Sequence, residues 1–314
     1  MTATNLPTAI LFPGQGSQCP GMGRDLAEHW SEAMELWERA EKISGFALRE
    51  IYWDNDTEAM SQTACLQPAL TVVNASLWGF LKAKLSPVCC MAGHSLGEYA
   101  ALYASGTLTI NDTLSLVCRR GRLMAEAGKG TSGKMAAVLK LSQASVEQLV
   151  NEVHDALGQE IRVANFNTPA QFVISGTENA INEAAARAKK AKGRAIILPV
   201  SGAFHSPMMA EAAAELARVM DKVDWHTPKT DLFLNATAEK ANDPRMIKEV
   251  MKKQMTSSVY WIQLITAQWD LGVRRFLELG PKGILAKMTG QILKDHKDEL
   301  ESENIETLEQ AMKM

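Results

Sequence analysis

Nowhere in the 314 residues do about 18 apolar residues run together, so the sequence alone points to no membrane-spanning helix. Its first residues, Met1 to Pro7, place no charged segment ahead of an apolar one, as a secretory signal would, and a cytoplasmic protein is expected. Basic residues are not in excess. Thirty-three Lys and Arg against 36 Asp and Glu leave a net charge of −3, which argues against nucleic acid as a ligand, because phosphate binding needs a basic face. Cysteine is scarce and irregular: Cys19, Cys65, Cys89, Cys90 and Cys118 form no C-x-x-C and have no His-x-x-x-His nearby, so no metal is expected. Glycine runs short where a dinucleotide fingerprint would need it. The loop Pro13 to Gln18 carries Gly14 and Gly16, but Cys19 stands in place of the third glycine, and the lysine of a P-loop is missing. Lys297-Asp298-Glu299-Leu300 spells a retention signal inside the chain, where no receptor reads it. Repeats and low-complexity segments are absent.

What is present centres on residues 88 to 106. A short apolar run, Val88 to Ala92, passes through Gly93-His94-Ser95-Leu96-Gly97 into the helix-forming stretch Glu98 to Ala104. Strand, sharp turn and helix with G-x-S-x-G at the turn describe a nucleophile elbow, in which small residues let strand and helix approach and expose the serine hydroxyl. The backbone N–H of Leu96 then points at the oxygen of whatever Ser95 attacks, at a helix N-terminus that favours negative charge. A Gly-rich packing turn is the alternative.

In chain order, Thr8 to Phe12 reads as a strand, Asp25 to Ile43 as an amphipathic helix, Thr63 to about Leu85 as a helix, and the stretch from a cap at Asn111-Asp112 to Glu126 as another. On that last helix Arg120 falls on the apolar face, Arg122 pairs with Glu126, and Arg119 lies beside it. An arginine facing the apolar side must find an anion there or snorkel out to solvent. From Lys134 the order becomes strand, helix, strand, strand, helix, strand up to Val200. This βαββαβ order predicts a ferredoxin-like subdomain inserted at about 129–198, with Gly128 to Gly133 as a hinge. Beyond it, Ser206 suits an N-cap and Pro207 a first helical position, so His205 stands in a strand-to-helix loop, the same kind of place as Ser95. Strands follow at Leu232 to Asn235 and Arg275 to Leu279, with helices from Pro244 to Met255 and after Gly283. The charged end of the chain is expected to fray.

Six stretches then fall in one order: Gly14-Gln15-Gly16-Ser17-Gln18, Gln67-Pro68-Ala69-Leu70, Gly93-His94-Ser95-Leu96-Gly97-Glu98, Arg120-Gly121, Gly202-Ala203-Phe204-His205-Ser206 and Glu278-Leu279-Gly280-Pro281. That order resembles the malonyl-CoA:acyl carrier protein transacylases over about residues 8 to 290, and is similar to the acyltransferase domains of polyketide synthases. The resemblance implies an α/β fold: an α/β-hydrolase-like core with a parallel sheet (1–128 and 199–314), the ferredoxin-like subdomain (129–198), and a site between them. It implies Ser95 as nucleophile, His205 as general base, the backbone N–H groups of Gln15 and Leu96 as oxyanion hole, and Arg120 as clamp on a substrate carboxylate. Gln67 and Phe204 support the site, and a main-chain carbonyl near Gln254 orients His205. Ser258 stands where the family usually has proline, and Leu66 where it usually has threonine.

The activity so implied is transfer of malonyl from malonyl-CoA to the phosphopantetheine thiol of acyl carrier protein, by a ping-pong route through a malonyl-serine ester, in fatty acid biosynthesis. The route needs no cofactor, and a monomer is expected. Phe204 implies a preference for malonyl over methylmalonyl. The run Arg187, Lys189, Lys190, Lys192 and Arg194 offers a docking patch for an acidic carrier, the alternative being a solvated helix end. Two other functions compete: a hydrolase using the same elbow, and a non-catalytic scaffold for the carrier protein.

Overall fold

In the computed structural model, which describes residues 6–85, 87–130, 132–200 and 202–314, the first apolar run is strand β1 (Thr8–Phe12), buried along its whole length. A continuous apolar strand is what a parallel sheet covered on both faces requires. β1 lies between β2 (Val88–Gly93) and a strand near the C-terminus, β9 (Arg275–Leu279), parallel to both. The full order of this sheet is β10-β9-β1-β2-β7-β8, with β7 at Asp231–Phe233, β8 at Lys240–Ala241 and β10 at Glu301–Ile305. Only the last pairing, β7 with β8, is antiparallel.

The helix Thr63–Leu81 crosses the core behind this sheet. Its 19 residues are apolar enough, by length and composition, to span a bilayer, yet 78% of its most apolar window is buried inside the protein. It is a core helix, packed against the helix Ile110–Gly130.

The remaining strands, β3 (Gly133–Leu139), β4 (Ile161–Thr168), β5 (Gln171–Thr177) and β6 (Arg194–Ile197), form a separate antiparallel sheet in the order β4-β5-β3-β6. With the helices Gln143–Leu157 and Glu178–Lys190 this is the βαββαβ arrangement read from the sequence. Strand periodicity divides its residues between two faces. Ala136, Val138, Phe172 and Ile174 join Val146, Val153 and Ile181 in a core of its own, while the alternate residues Met135, Ala137, Gln171 and Val173 turn towards the large sheet and line a cavity. Ser142 and Thr177 cap the two helices by accepting from Ser145 N and Ala180 N.

Several local readings change. The expected helix from Asp25 to Ile43 is two helices, Arg24–His29 and Ser31–Ser44, separated by an extended Trp30. Trp30 packs its ring edge-on to Phe80 and fills the space above Gly79, a tertiary demand that overrides helix continuity. The cap at Asn111-Asp112 moves to Thr109, whose hydroxyl accepts from Asp112 N at 3.2 Å. The expected hinge is a helix that continues to Gly130 and meets β3 at Gly133; Thr131 lies outside the described residues. Trp261–Asp270 is a helix the sequence pattern did not mark. The charged tail does not fray. Glu301–Ile305 pairs in parallel with β9, and Thr307 and Gln310 form a capping box for Leu308–Met312. As an edge strand β10 is mostly polar and charged, and so lacks the apolar alternation that marks a strand in sequence.

Candidate active site

The C-terminal ends of β1, β2 and β7 meet beneath the cavity, and Ser95 sits there. It follows β2 and precedes the helix Gly97–Ala104, with φ at 51°, a left-handed conformation rare outside glycine and typical of strained functional turns. Two glycines make the turn possible. A Cβ on Gly93 would lie 2.0 Å from the carbonyl of Gly97, and one on Gly97 would lie 1.9 Å from the carbonyl oxygen of Phe12. The spacing of G-x-S-x-G therefore reflects backbone packed on backbone.

His205 enters from the loop before a turn of 3-10 helix, Pro207–Met209, whose start is capped by Ser206. Its Nε2 lies 2.8 Å from Ser95 Oγ. Its Nδ1 faces two main-chain carbonyls, Gln254 at 3.2 Å and Ser257 at 3.0 Å. Carbonyls only accept, so the proton belongs on Nδ1 and Nε2 is left to accept from the serine hydroxyl. Burial first, then the charge of Arg120 and the neighbouring His94, push the His205 pKa down to about 3. The ring is neutral at physiological pH, the state a base needs.

The Ser257 carbonyl is held by an unusual neighbour. Ser258, in the position where the resemblance leads one to expect proline, donates its hydroxyl to Val163 O of β4 at 2.7 Å, and Val259 pairs with Ala164 and Phe166 on the same strand. A hydrogen bond to the small sheet fixes the loop in place of a proline ring. Ser258→Ala, which removes this bond, is expected to reduce unfolding free energy by about 0.5–1.5 kcal/mol, measured by urea denaturation.

Arg120 reaches the site from the helix Ile110–Gly130 and is 1% exposed. The snorkelling alternative does not hold, and burial lowers its pKa. Its guanidinium donates to Gln67 Oε1 at 2.9 Å, Ser95 Oγ at 3.2 Å and Gln254 Oε1 at 3.2 Å, and lies 5.5 Å from the centre of the Tyr99 ring. Among the described residues it forms no ion pair with any carboxylate, whereas its neighbour Arg119 pairs with Glu215. Arg122, expected to pair with Glu126, donates instead to Ser44 O.

Gln15 lies in a turn closed by Ser17 N donating to Gly14 O, with Pro13 O tied to Asn74 and Gly16 O to Lys282. Among the described residues neither Gln15 N–H nor Leu96 N–H has a protein acceptor. Both residues line the cavity beside Ser95, which holds about 440 Å³ and is walled by Met124, Met135, Val173, Leu198 and Phe204. These two free donors beside an activated hydroxyl suit an oxyanion.

Sequence reasoning missed Asn235 and left Glu98 without a role. Asn235 accepts Ser95 N–H at 2.7 Å, and Glu98, fully buried, holds both Asn235 and Gln254. A signal for Asn235 existed: it follows a strand of the parallel sheet at the carboxyl end, where ligands gather.

A family profile described as the acyl transferase domain matches residues 10–311. The chain belongs to this family. The acyltransferase is 36% identical over 286 residues to the malonyl CoA-acyl carrier protein transacylase of Bacillus subtilis (strain 168), covering 90% of each chain. It is 34% identical to the protein of the same name from Staphylococcus aureus (strain MW2), over 92% of this chain and 94% of the other. Among solved structures it superposes on an acyl carrier protein S-malonyltransferase from Vibrio cholerae with a TM-score of 0.90 at 32% identity, over 96% and 97% of the two chains. It superposes equally, at 0.90 and 30% identity over 98% of each chain, on a malonyl-transacylase solved in complex with its type II PKS acyl-carrier protein. The α/β fold with its added antiparallel sheet is thus that of these enzymes.

Proposed function

We propose that this acyltransferase moves the malonyl group of malonyl-CoA to the phosphopantetheine thiol of an acyl carrier protein, in fatty acid biosynthesis, as a cytoplasmic monomer. The observation that carries the reading is Arg120: a buried guanidinium that forms no ion pair with a carboxylate among the described residues, 3.2 Å from a serine hydroxyl that also bonds a neutral histidine. A buried cation without a directly bonded anion is costly, and a substrate bearing a free carboxylate beside its thioester supplies one. Arginine's planar fork grips a carboxylate through two parallel bonds, which also orients the thioester towards Ser95.

His205 Nε2 takes the Ser95 proton as Oγ bonds to the thioester carbonyl carbon. The backbone N–H groups of Gln15 and Leu96 hold the developing oxyanion, the carbon–sulfur bond breaks, and the proton passes to the departing thiolate of coenzyme A. In the second half-reaction His205 removes the proton of the carrier thiol, the thiolate attacks the malonyl-serine ester, and the ester bond to Ser95 breaks as the proton returns to Oγ. Atoms and charge balance without a metal or redox group. Gln67 supports Arg120, the carbonyls of Gln254 and Ser257 orient His205, and Phe204 narrows the wall against an added methyl. The division of the chain at 129 and 198 belongs to the same reading, supported by the separate hydrophobic core of the antiparallel sheet. The test is mass spectrometry after brief incubation with malonyl-CoA. A malonyl adduct on the peptide containing Ser95 is expected; an adduct on a cysteine, or equal labelling of Ser95→Ala protein, would sink the reading.

The carrier protein is placed against the small sheet. Of the basic run, Arg187 is occupied by Glu183 and Glu152, and Lys189, Lys190, Lys192 and Arg194 are exposed. Arg194 opens β6, which leads into Leu198, Pro199 and Val200 at the cavity wall. Charges of this kind steer encounter and are screened within about 8–10 Å at ordinary salt. Lys189→Glu with Lys190→Glu is expected to slow transfer to the carrier at low salt and leave malonyl-enzyme formation unchanged, as read by stopped-flow of each half-reaction.

A further inference from the structure

Glu98 stands one helical turn beyond the nucleophile, and its carboxyl is fully buried. Oε1 accepts from the backbone N–H of Asn235 and Oε2 from the side-chain amide of Gln254, each at 2.8 Å. Both partners reach on to the reacting groups. The Asn235 side chain accepts Ser95 N–H at 2.7 Å and donates to Gly93 O at 2.7 Å, so it brackets the turn that keeps Ser95 in its left-handed conformation. The Gln254 amide donates to Ser95 O at 2.8 Å and accepts from Arg120 at 3.2 Å, and its main-chain carbonyl accepts from His205 Nδ1.

We infer that Glu98 is a positioning residue: its carboxylate, accepting on both oxygens, locks Asn235 and Gln254 in the one orientation that holds Ser95, His205 and Arg120 in register. This rests on the acyl-transfer reading above. Among the described residues Glu98 forms no ion pair, so it is not half of a buried salt bridge; its direct partners are neutral amides, with the Arg120 charge acting on it from beyond them. An ionised carboxylate is acceptor-only, whereas a protonated acid or a carboxamide carries a donor. A carboxamide sets its NH₂ against Asn235 N–H or Gln254 Nε2, whereas a protonated acid can still accept on both oxygens but without its charge holds both amides more weakly and adds a proton to the buried network. Flipping the Gln254 amide would relieve the clash at Glu98 but turn its NH₂ towards Arg120 and its oxygen towards Ser95 O. Every rearrangement therefore disturbs a group the reaction uses.

The same geometry makes the lock sensitive to pH. Burial raises the Glu98 pKa to about 7, opposed by the bonds from Asn235 and Gln254 and by the charge of Arg120. Arg120 and Tyr99 are the charged and titratable groups acting on it or on its helix, and His205 lies one hydrogen bond further, beyond the Gln254 carbonyl. Lowering the pH through about 7 protonates Glu98 while His205 stays neutral to about 3.

The test compares wild type with Glu98→Gln in steady-state malonyl transfer between about pH 5.5 and 9, with near-UV circular dichroism to establish the fold. Wild-type kcat/KM is expected to rise with pH through about 7. Glu98→Gln is expected to lose about 10- to 100-fold in kcat and to show no such inflection. Glu98→Asp, which keeps both acceptors, is expected to retain the inflection. A folded Glu98→Gln protein with wild-type kcat, or with the inflection intact, overturns the inference. Should Glu98→Gln not fold, Gln254→Met carries the test, because it removes the amide and keeps the carbonyl that orients His205. It is expected to lose at least about tenfold in kcat and to move the inflection upward, and an unchanged profile overturns the inference. A wild-type protein that forms no malonyl-Ser95 would instead remove the acyl-transfer reading itself.

Discussion

Arg120→Ala is expected to lower kcat/KM for malonyl-CoA by about 30- to 5,000-fold while acetyl-CoA, which has no free carboxylate, loses far less. The figure corresponds to about 2–5 kcal/mol, typical of removing one partner of a buried, hydrogen-bonded charge pair. The substitution acts at three places. It removes the proposed anion clamp, and it leaves Gln67 Oε1 and Gln254 Oε1 without the Arg120 donor. It also lets the His205 pKa rise, since the Arg120 charge is the second-largest cause of its depression. The last two affect both thioesters alike, so only the ratio of the two specificity constants isolates the clamp. Arg120→Lys keeps the charge and loses the planar fork, and should fall between wild type and alanine. Equal losses for malonyl and acetyl substrates would make Arg120 a structural residue.

His205→Ala is expected to cost about 10⁴- to 10⁶-fold in kcat, and Ser95→Ala combined with it no more than either alone. A 2.8 Å hydrogen bond joins the two side chains, and in the proposed mechanism they act as one unit, so that removing either disables the other. Additive losses in the double variant would mean that another group takes the serine proton. The substitution should also change the acid stability of the fold. A histidine held neutral to about pH 3 in the native state binds its proton more readily when unfolded. It therefore contributes stability above the unfolded value of about 6.5, and that contribution is lost as pH falls towards about 3. His205→Ala protein should lose less stability than wild type across this window, as read from urea midpoints at successive pH values.

Phe204 and Ser258 show how far a motif carries. Phe204, marked by the resemblance alone, adjoins His205 and lines the cavity. Ser258 breaks the expected pattern, and the bond to Val163 O, 95 residues away, with the pairing of Val259 to the same strand, accounts for how its loop is held without proline.

The sequence by itself determined the elements whose signals are local. The elbow at Ser95 was legible because backbone sterics over five residues demand glycine at two of them. The βαββαβ unit was legible because its periodicity switches cleanly between strand and helix and its helices carry their own caps. His205 was legible as a loop residue from the cap and proline that follow it. Tertiary structure decided the rest. The bracket of Ser95 by Asn235 spans 140 residues, and the link from Glu98 to Gln254 spans 156. The first exists because the order β10-β9-β1-β2-β7-β8 sets the ends of β2 and β7 side by side, and the second because the 3-10 turn Gln254–Thr256, packed against the helix Ala210–Met220, comes to lie over the start of the helix that carries Glu98. The partners of Arg119, Arg120 and Arg122, the break at Trp30 and the polar edge strand β10 are likewise set by what packs against them. Hydrogen-bond partners and burial depend on which distant segments meet, and periodicity along one segment carries no information about that meeting.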